Sequence, residues 1–107
     1  ANDMLRGIQP DETEKNLEEI INIANNKQIK IIIAGMVAPI THGAEYKKKF
    51  DTIYPKLSKK YNLPLIPFLL EGVALNPSLN QQDGIHPNEE GTIIISKTLK
   101  EIILKNL

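Results

Sequence analysis

Apolar and polar residues alternate along the 107-residue chain in a pattern that predicts helices separated by short strands. From Pro10 to Asn26, apolar residues recur at intervals of three and four, at Leu17, Ile20, Ile21 and Ala24. This interval predicts an amphipathic helix, which Pro10 is suited to begin and Asn25-Asn26 to end. Residues 1–9 carry turn formers without a sustained repeat, so we expect them to form a loop.

Two apolar runs predict strands. Residues 29–34 are rich in β-branched side chains and end at Gly35, which is typical of a strand that is buried on both faces and paired in parallel. Residues 63–68 form a second run, framed by Pro64 and Pro67, and predict another strand. The loop of residues 35–43 would then lie at the carboxyl end of the first strand, where open α/β sheets place their ligand crevices.

Two further helices are predicted, over residues 44–61 and 89–105. The first has an apolar face made of Tyr46, Phe50, Ile53, Tyr54, Leu57 and Tyr61. Pro55 interrupts it, so we expect a kink or a break there. The second is expected to bury Ile93, Ile94, Leu99, Ile102 and Ile103.

The predicted order is helix, strand, helix, strand, loop, helix, which belongs to α/β proteins with right-handed crossovers. No internal repeat, low-complexity segment or domain linker interrupts it. About two strands and three helices leave both edges of a parallel sheet without partners. We therefore expect the chain to be part of a larger sheet.

Composition narrows the class of protein. Thirteen basic and thirteen acidic residues cancel, so net charge favours neither nucleic acid nor an anionic membrane as a partner. Cysteine is absent, which excludes disulfides and thiolate metal sites. No apolar run reaches the length of a transmembrane segment, and residues 1–107 do not contain the pattern of a signal peptide, which we expect to have been lost with any upstream segment. The chain begins at Ala1 rather than at Met, from which we expect an upstream segment.

The candidate chemistry is concentrated in Asp83-Gly84-Ile85-His86-Pro87-Asn88. A carboxylate three residues before an imidazole can reach its Nδ1, which fixes the tautomer and leaves Nε2 as a base. Gly84 permits the tight turn, Pro87 keeps His86 extended ahead of the helix, and Asn88 is a good N-cap for that helix. The alternative is structural, since Asp-Gly is a common turn and a lone loop histidine is usually solvated. The long connection of residues 69–87 favours a functional role.

Asp83-Gly84-Ile85-His86-Pro87-Asn88 resembles the last block of the SGNH (GDSL-type) hydrolases, and Ala1-Asn2-Asp3 resembles the end of that family's Gly-x-Asn-Asp block. Intervening segments resemble the arylesterase, lysophospholipase and thioesterase I branch: Gly35-Met36, Tyr46, Phe50-Asp51-x-Ile53-Tyr54-Pro55 and Pro64-Leu65-Ile66-Pro67-Phe68. The resemblance implies a flavodoxin-like α/β fold, a parallel sheet with helices on both faces. Residues 1–107 would be the C-terminal portion of one such domain.

The resemblance also implies site residues. His86 would be the general base and Asp83 would orient it, while Asn2 would donate its amide to the oxyanion. Met4, Leu5 and Arg6, in the loop after Asn2, would lie beside the acyl group. The implied substrate is a small acyl ester or thioester, and neither a cofactor nor a metal ion is implied. Relatives of this kind are often exported, so the resemblance allows a periplasmic or secreted location without fixing one.

The sequence departs from the family pattern in its nucleophile. The family places a serine in a Gly-Asp-Ser block near the start of the domain, and Ser58, Ser78 and Ser96 all lack that context. We therefore expect the serine, and a glycine of the oxyanion hole, to come from a missing N-terminal segment or a second chain. The competing hypothesis is a non-catalytic α/β module that associates with another chain through an open sheet edge.

Three other residues admit more than one interpretation. His42 could join Asp83 and His86 in a metal site, but no ligand spacing supports this, and a loop residue at the rim of the crevice is favoured. Glu71 could cap backbone groups or line a pocket, and a structural role is favoured. Asp3 belongs to the recognised block, yet its residue type and position assign it no chemical task.

Overall fold

The protein is described from a computed structural model that covers all 107 residues. The elements are α1 (Asn2–Leu5), α2 (Pro10–Asn26), β1 (Ile33–Ala34), α3 (Ala44–Tyr61), β2 (Leu65–Ile66) and α4 (Glu89–Lys105). Two short 3-10 helices cover Ile40–His42 and Pro77–Leu79. Contacts divide the chain into two compact units, Ala1–Pro67 and Phe68–Leu107. The predicted α/β element order is confirmed, with α1 as an addition.

The two strands pair in parallel, as predicted, with Ile33 opposite Leu65 and Ala34 opposite Ile66. The strands are shorter than predicted, because only the last two residues of the first apolar run have a partner strand. The prediction of a strand buried on both faces is therefore wrong over residues 29–32. Ile29 is 55% exposed, and the side chains of residues 31–34 are only partly buried.

The core of the first unit lies against α3. Its buried members are Met4, Ile21, Ala38, Phe50, Ile53, Tyr54 and Leu57. Four of these come from the predicted face of α3, and Tyr46 and Tyr61 pack beside them, so that face is confirmed. The predicted stripe of α2 is confirmed at Ile21 but is wrong at Ile20, which is 61% exposed.

Pro55 does not break α3, which continues from Ala44 to Tyr61. Proline removes a backbone donor, which is tolerated best where water can replace the lost hydrogen bond. Pro55 is exposed, whereas Ile53, Tyr54 and Leu57 around it are buried. Packing of the buried face therefore holds the helix together across the proline.

The expectation that residues 1–9 form only a loop is also wrong. Asn2–Leu5 form one helical turn, in which the Leu5 N–H donates to the Ala1 carbonyl at 3.0 Å. A turn this short carries no periodic signal in the sequence. It is stabilised by burial of Met4, whose side chain is 6% exposed in the core.

In the second unit, α4 packs against the 3-10 helix Pro77–Leu79. Gly91 is its one buried residue. Ile94, Leu99 and Ile102 are half-buried, but the predicted burial of Ile93 and Ile103 is wrong, since they are 50% and 43% exposed. A single long helix with few partner elements in its unit cannot bury its whole apolar face. No helix combines the length and the apolar character that crossing a membrane requires.

The core of the first unit predicts a matched pair of mutational effects. Ile53 is 2% exposed and Ile20 is 61% exposed. Ile53→Ala is expected to lower the free energy of unfolding by about 2–5 kcal/mol, because it leaves a cavity in a packed interior. Ile20→Ala should change it by less than about 0.5 kcal/mol. Urea denaturation followed by circular dichroism measures both, and equal losses would contradict the assigned core.

Candidate active site

Residues 79–88 form a closed loop that carries the predicted acid and base. The Asn88 N–H donates to the Leu79 carbonyl at 2.9 Å, and the Gln81 N–H donates to the His86 carbonyl at 2.8 Å. Asn80 and Pro87 form an antiparallel bridge between these two bonds. The backbone ladder therefore fixes both ends of the turn that runs from Asp83 to His86.

Asp83 and His86 contact each other inside this turn. The His86 Nδ1–H donates to Asp83 Oδ2 at 2.6 Å. Asp83 Oδ1 accepts from the backbone N–H groups of Ile85 at 2.9 Å and of His86 at 3.0 Å. Gly84 allows this geometry because its φ of +69° lies in the left-handed region. The carboxylate is therefore oriented by its own loop and in turn orients the imidazole.

The hydrogen bonds have a clear electrostatic effect. The His86 side chain first, and then the backbone N–H groups of His86 and Ile85, lower the pKa of Asp83 from its ordinary value of 3.8 to about 2. The carboxylate is thus ionised throughout the neutral range. In a neutral imidazole whose proton is on Nδ1, the Nε2 atom is an acceptor and can serve as a base. The side chains of His86 and Asp83 are 63% and 42% exposed, so solvent and small molecules can reach them.

Two asparagine side chains connect the loop to the segments before and after it. Asn80 is 8% exposed, and its Nδ2 donates to the carbonyls of Val73 and Asn76, both at 2.8 Å. Asn88 caps α4, because its Oδ1 accepts from the Gly91 N–H at 3.0 Å while its Nδ2 donates to the Ser78 carbonyl at 2.8 Å. The amides thus join the loop to the segment before it and to the helix after it. The cap at Asn88 was predicted from the sequence; the role of Asn80 was not.

Gly91 is a further support that the sequence analysis missed. A Cβ atom on Gly91 would lie 2.2 Å from the Leu79 carbonyl oxygen, so only glycine lets α4 approach the loop this closely. The available signal was the glycine itself, which is unfavourable inside a helix unless packing requires it.

The predicted residues of the other block lie in the first unit. Asn2 is exposed at the start of α1. Met4 is buried in the core, so its side chain is not free to contact a ligand in this structure, whereas Leu5 is 45% exposed and Arg6 is exposed. Of the three residues predicted to lie beside an acyl group, only Leu5 and Arg6 present side chains to solvent.

The three serine hydroxyls donate to acceptors near them in sequence. Ser58 Oγ donates to the Leu63 carbonyl at 2.6 Å, at the end of α3. Ser78 Oγ donates to Asn76 Oδ1 at 2.7 Å, and Ser96 Oγ donates to the Ile93 carbonyl at 2.7 Å. None of these hydroxyls is hydrogen-bonded to His86.

The remaining candidates have structural contacts or none. His42 Nε2 lies 3.2 Å from the Met4 carbonyl oxygen, to which it donates. Glu71 is exposed. No group of three or more histidine, aspartate or glutamate side chains is placed to hold a metal ion.

Comparisons with known proteins give a consistent result. Residues 1–92 match the GDSL-like Lipase/Acylhydrolase family. The chain is 39% identical over 96 residues to thioesterase 1/protease 1/lysophospholipase L1 of Escherichia coli K12, which covers 90% of the chain and 46% of that protein. It is 32% identical over 107 residues to an arylesterase of Vibrio mimicus, which covers 100% of the chain and 54% of that protein.

A solved structure resembles the chain as well. The crystal structure of TesA superimposes with a TM-score of 0.90 at 28% identity, covering 99% of this chain and 59% of that one. This likeness confirms the predicted fold class. The chain spans about half the length of the curated relatives it matches.

The Asp83–His86 pair predicts an unusual titration. We expect the Asp83 carboxyl carbon to titrate with a midpoint near pH 2, and His86→Ala to move that midpoint toward 3.8 because the side-chain donor is lost. Since the pKa is lowered only in the folded state, ionised Asp83 stabilises the fold above pH 3.8, and this contribution is lost as the pH falls toward about 2. Carbon-13 NMR measures the midpoints. An Asp83 midpoint near 3.8 in the unaltered chain would contradict the hydrogen bonding.

Gly91→Ala tests the close approach of α4. Replacing glycine by alanine inside an exposed helix usually stabilises a protein by about 1 kcal/mol. Here the added methyl meets a backbone carbonyl, so we expect destabilisation of about 1–3 kcal/mol and altered amide shifts over residues 79–88. Lys97→Ala, at an exposed position of the same helix, is the control and should stay within about 0.5 kcal/mol. Stabilisation by Gly91→Ala in thermal unfolding would overturn the assignment.

Proposed function

The chain belongs to the GDSL-like lipase/acylhydrolase family, and we propose that it supplies the acid, the base and one oxyanion donor of a serine esterase. The observation that supports this most is the 2.6 Å hydrogen bond between His86 Nδ1 and Asp83 Oδ2. Such a pair holds an imidazole in the tautomer that a general base needs. The proposed reaction is hydrolysis of an acyl ester or thioester.

His86 is the general base in this mechanism. Its Nε2 takes the proton of a serine hydroxyl while the serine oxygen attacks the carbonyl carbon of the substrate. The ionised Asp83 stabilises the imidazolium that forms and does not itself take the proton. The imidazolium then protonates the departing alcohol or thiol, which leaves an acyl-serine. Water repeats the same steps on the acyl-serine and releases the carboxylic acid.

Asn2 is proposed as an oxyanion donor. The tetrahedral intermediate carries negative charge on the former carbonyl oxygen, and a side-chain N–H aimed at that oxygen lowers the barrier by about 3–4 kcal/mol. Two facts support this role for Asn2. Its side chain is exposed on a helical turn that is anchored in the core by Met4 of the same turn. Asn2 also belongs to the block in which the family resemblance places this donor. Exposed Leu5 and Arg6 are proposed to border the acyl group.

The nucleophile is proposed to lie on a segment outside these 107 residues, either upstream of residue 1 in the same polypeptide or on a second chain. Each of the three serine hydroxyls donates to a local acceptor. The curated relatives are about twice as long as this chain, which leaves room for a nucleophile block. On this proposal, residues 1–107 are the C-terminal portion of one hydrolase domain.

A second candidate function has one observation in its favour. The sheet consists of β1 and β2 alone, so each strand has an edge without a partner strand. An open edge of this kind can pair with a strand of another chain. A non-catalytic module would form a stable complex in this way without carrying out acyl transfer.

Reconstitution distinguishes the two functions. The chain is mixed with the N-terminal part of the Escherichia coli relative, which on this proposal supplies the nucleophile, and hydrolysis of a p-nitrophenyl ester is followed. We expect activity, and we expect His86→Ala to lower it by at least about a thousandfold because the base is lost. Asp83→Asn should lower kcat by about 10⁴-fold, since the imidazole would adopt the wrong tautomer.

Asp11→Asn is the matched control, because Asp11 is exposed at the start of α2 and lies outside the proposed site; its activity should equal that of the unaltered chain. Full activity of His86→Ala would remove His86 from the mechanism. A stable complex that neither hydrolyses the ester nor reacts with a fluorophosphonate probe would favour the non-catalytic module.

A further inference from the structure

Three side chains from three different elements hold the N-terminal segment of residues 1–8, which we call the Asn2 segment. Thr13 Oγ1, on α2, donates to Asp3 Oδ2 at 2.9 Å. The other two donors bind main-chain carbonyls of the segment: His42 Nε2 binds that of Met4 at 3.2 Å, and the Tyr46 hydroxyl binds that of Ile8 at 2.6 Å. The segment is thus attached near its start, in its middle and at its end.

The bond between Thr13 and Asp3 is the most informative of the three. It is the one bond in which both partners are side chains, and Thr13 is 6% exposed, so the bond lies at the edge of the core. A carboxylate placed there needs a hydrogen-bond donor to offset its desolvation. Asp3 also stands next to Asn2 in the chain, so fixing Asp3 limits where the Asn2 backbone can lie.

The geometry of a helical turn explains why two anchors are needed. Successive residues of a helix point about 100° apart around its axis. Burial of Met4 alone would hold one side of the turn and leave it free to rock about that contact. Asp3 holds a second side, and the directions left over are those of Asn2 and Leu5, which are both exposed.

The hydrogen bond from His42 to this segment is accompanied by a buried polar atom that has no partner. Because Nε2 faces a carbonyl oxygen it must carry the proton, so Nδ1 of the neutral ring is an acceptor. That Nδ1 atom is buried and has no hydrogen-bond partner. Unsatisfied buried polar atoms are uncommon, and here the unsatisfied atom accompanies a bond to the Asn2 segment.

We propose that Asp3 and Thr13 are positioning residues, whose hydrogen bond fixes the helical turn of Asn2 so that the Asn2 amide is preorganised as an oxyanion donor. The catalytic part rests on the proposed function of Asn2; the fixing of the turn rests on the structure alone. Preorganisation matters because a donor displaced by about 1 Å can lose about a hundredfold in rate. Asp3 thereby gains the task that its residue type and position left unassigned.

The first experiment needs only the chain itself. Amide hydrogen exchange is measured by NMR at Leu5, Arg6 and Ile8, whose N–H groups bond within the segment. Thr13→Val keeps the shape of the side chain and removes the hydroxyl, so we expect about tenfold faster exchange at these amides. Thr13→Ser restores the hydroxyl and should restore slow exchange.

The matched control is Thr52→Val. The Thr52 hydroxyl is exposed and donates to the Lys48 carbonyl of its own helix, so its loss should leave exchange in the segment unchanged. Thermal unfolding of each variant separates local loosening from global destabilisation. The proposal is overturned if Thr13→Val exchanges like the unaltered chain, or if Thr13→Val and Thr52→Val accelerate exchange equally.

The second experiment uses the reconstituted esterase. Thr13→Val is expected to lower kcat about tenfold with KM unchanged, and Thr13→Ser to recover it, because only stabilisation of the transition state is impaired. Asn2→Ala sets the scale, with a loss of about a hundredfold or more.

The outcomes separate the two ideas. If Asn2→Ala loses activity and Thr13→Val keeps its kcat, the positioning role is overturned and the proposed function stands. If Asn2→Ala keeps full activity, the oxyanion role of Asn2 is wrong and the catalytic part of this proposal falls with it. Slower exchange in Thr13→Ser than in Thr13→Val then still supports the fixing of the turn.

Discussion

The hydrogen bond between the carboxylate of Asp83 and the imidazole of His86 is the interaction on which the site depends. Both groups are partly exposed, so the bond matters through the orientation it imposes more than through stability. The carboxylate can orient the imidazole because its second oxygen accepts hydrogen bonds from two N–H groups of the same loop. A carboxylate fixed in this way cannot rotate without breaking three hydrogen bonds.

The residues that keep this loop in place have no chemistry of their own. The Asn80 amide adds a second hydrogen bond to the carbonyls of Val73 and Asn76. The Asn88 amide binds the Ser78 carbonyl and the Gly91 N–H, and Gly91 lets α4 approach the Leu79 carbonyl. The Asn2 segment of the first unit is also held by polar side chains. Thr13 donates to the Asp3 side chain and Tyr46 donates to the Ile8 carbonyl, and both donors lie outside the segment. In both units, polar side chains fix short segments that carry the proposed functional groups; they come from regular elements in the first unit and from the loop itself in the second.

Two observations bear on the proposed division of the chemistry: the length of the relatives and the size of the sheet. Most of the chain aligns with proteins that are about twice as long, and its sheet has only two strands. The proposed reaction needs a nucleophile, and each of the three serine hydroxyls of this chain donates to an acceptor close to it in sequence. The proposed division of labour is therefore chemical as well as structural: acid, base and one donor here, and the nucleophile elsewhere.

The sequence by itself determined what depends on near neighbours. The spacing of Asp83 and His86, the cap at Asn88 and the apolar face of α3 follow from local geometry and helical period, and the two recognised blocks identified the family. Tertiary structure decided what depends on distant contacts. The strands are only as long as their paired residues, burial of Met4 stabilises α1, and packing keeps α3 continuous at Pro55. The contacts of Asp3, Asn80 and Gly91 are made with residues that no periodic pattern in the sequence identifies. Periodicity reports which face of an element is apolar, but not which atoms will cover it.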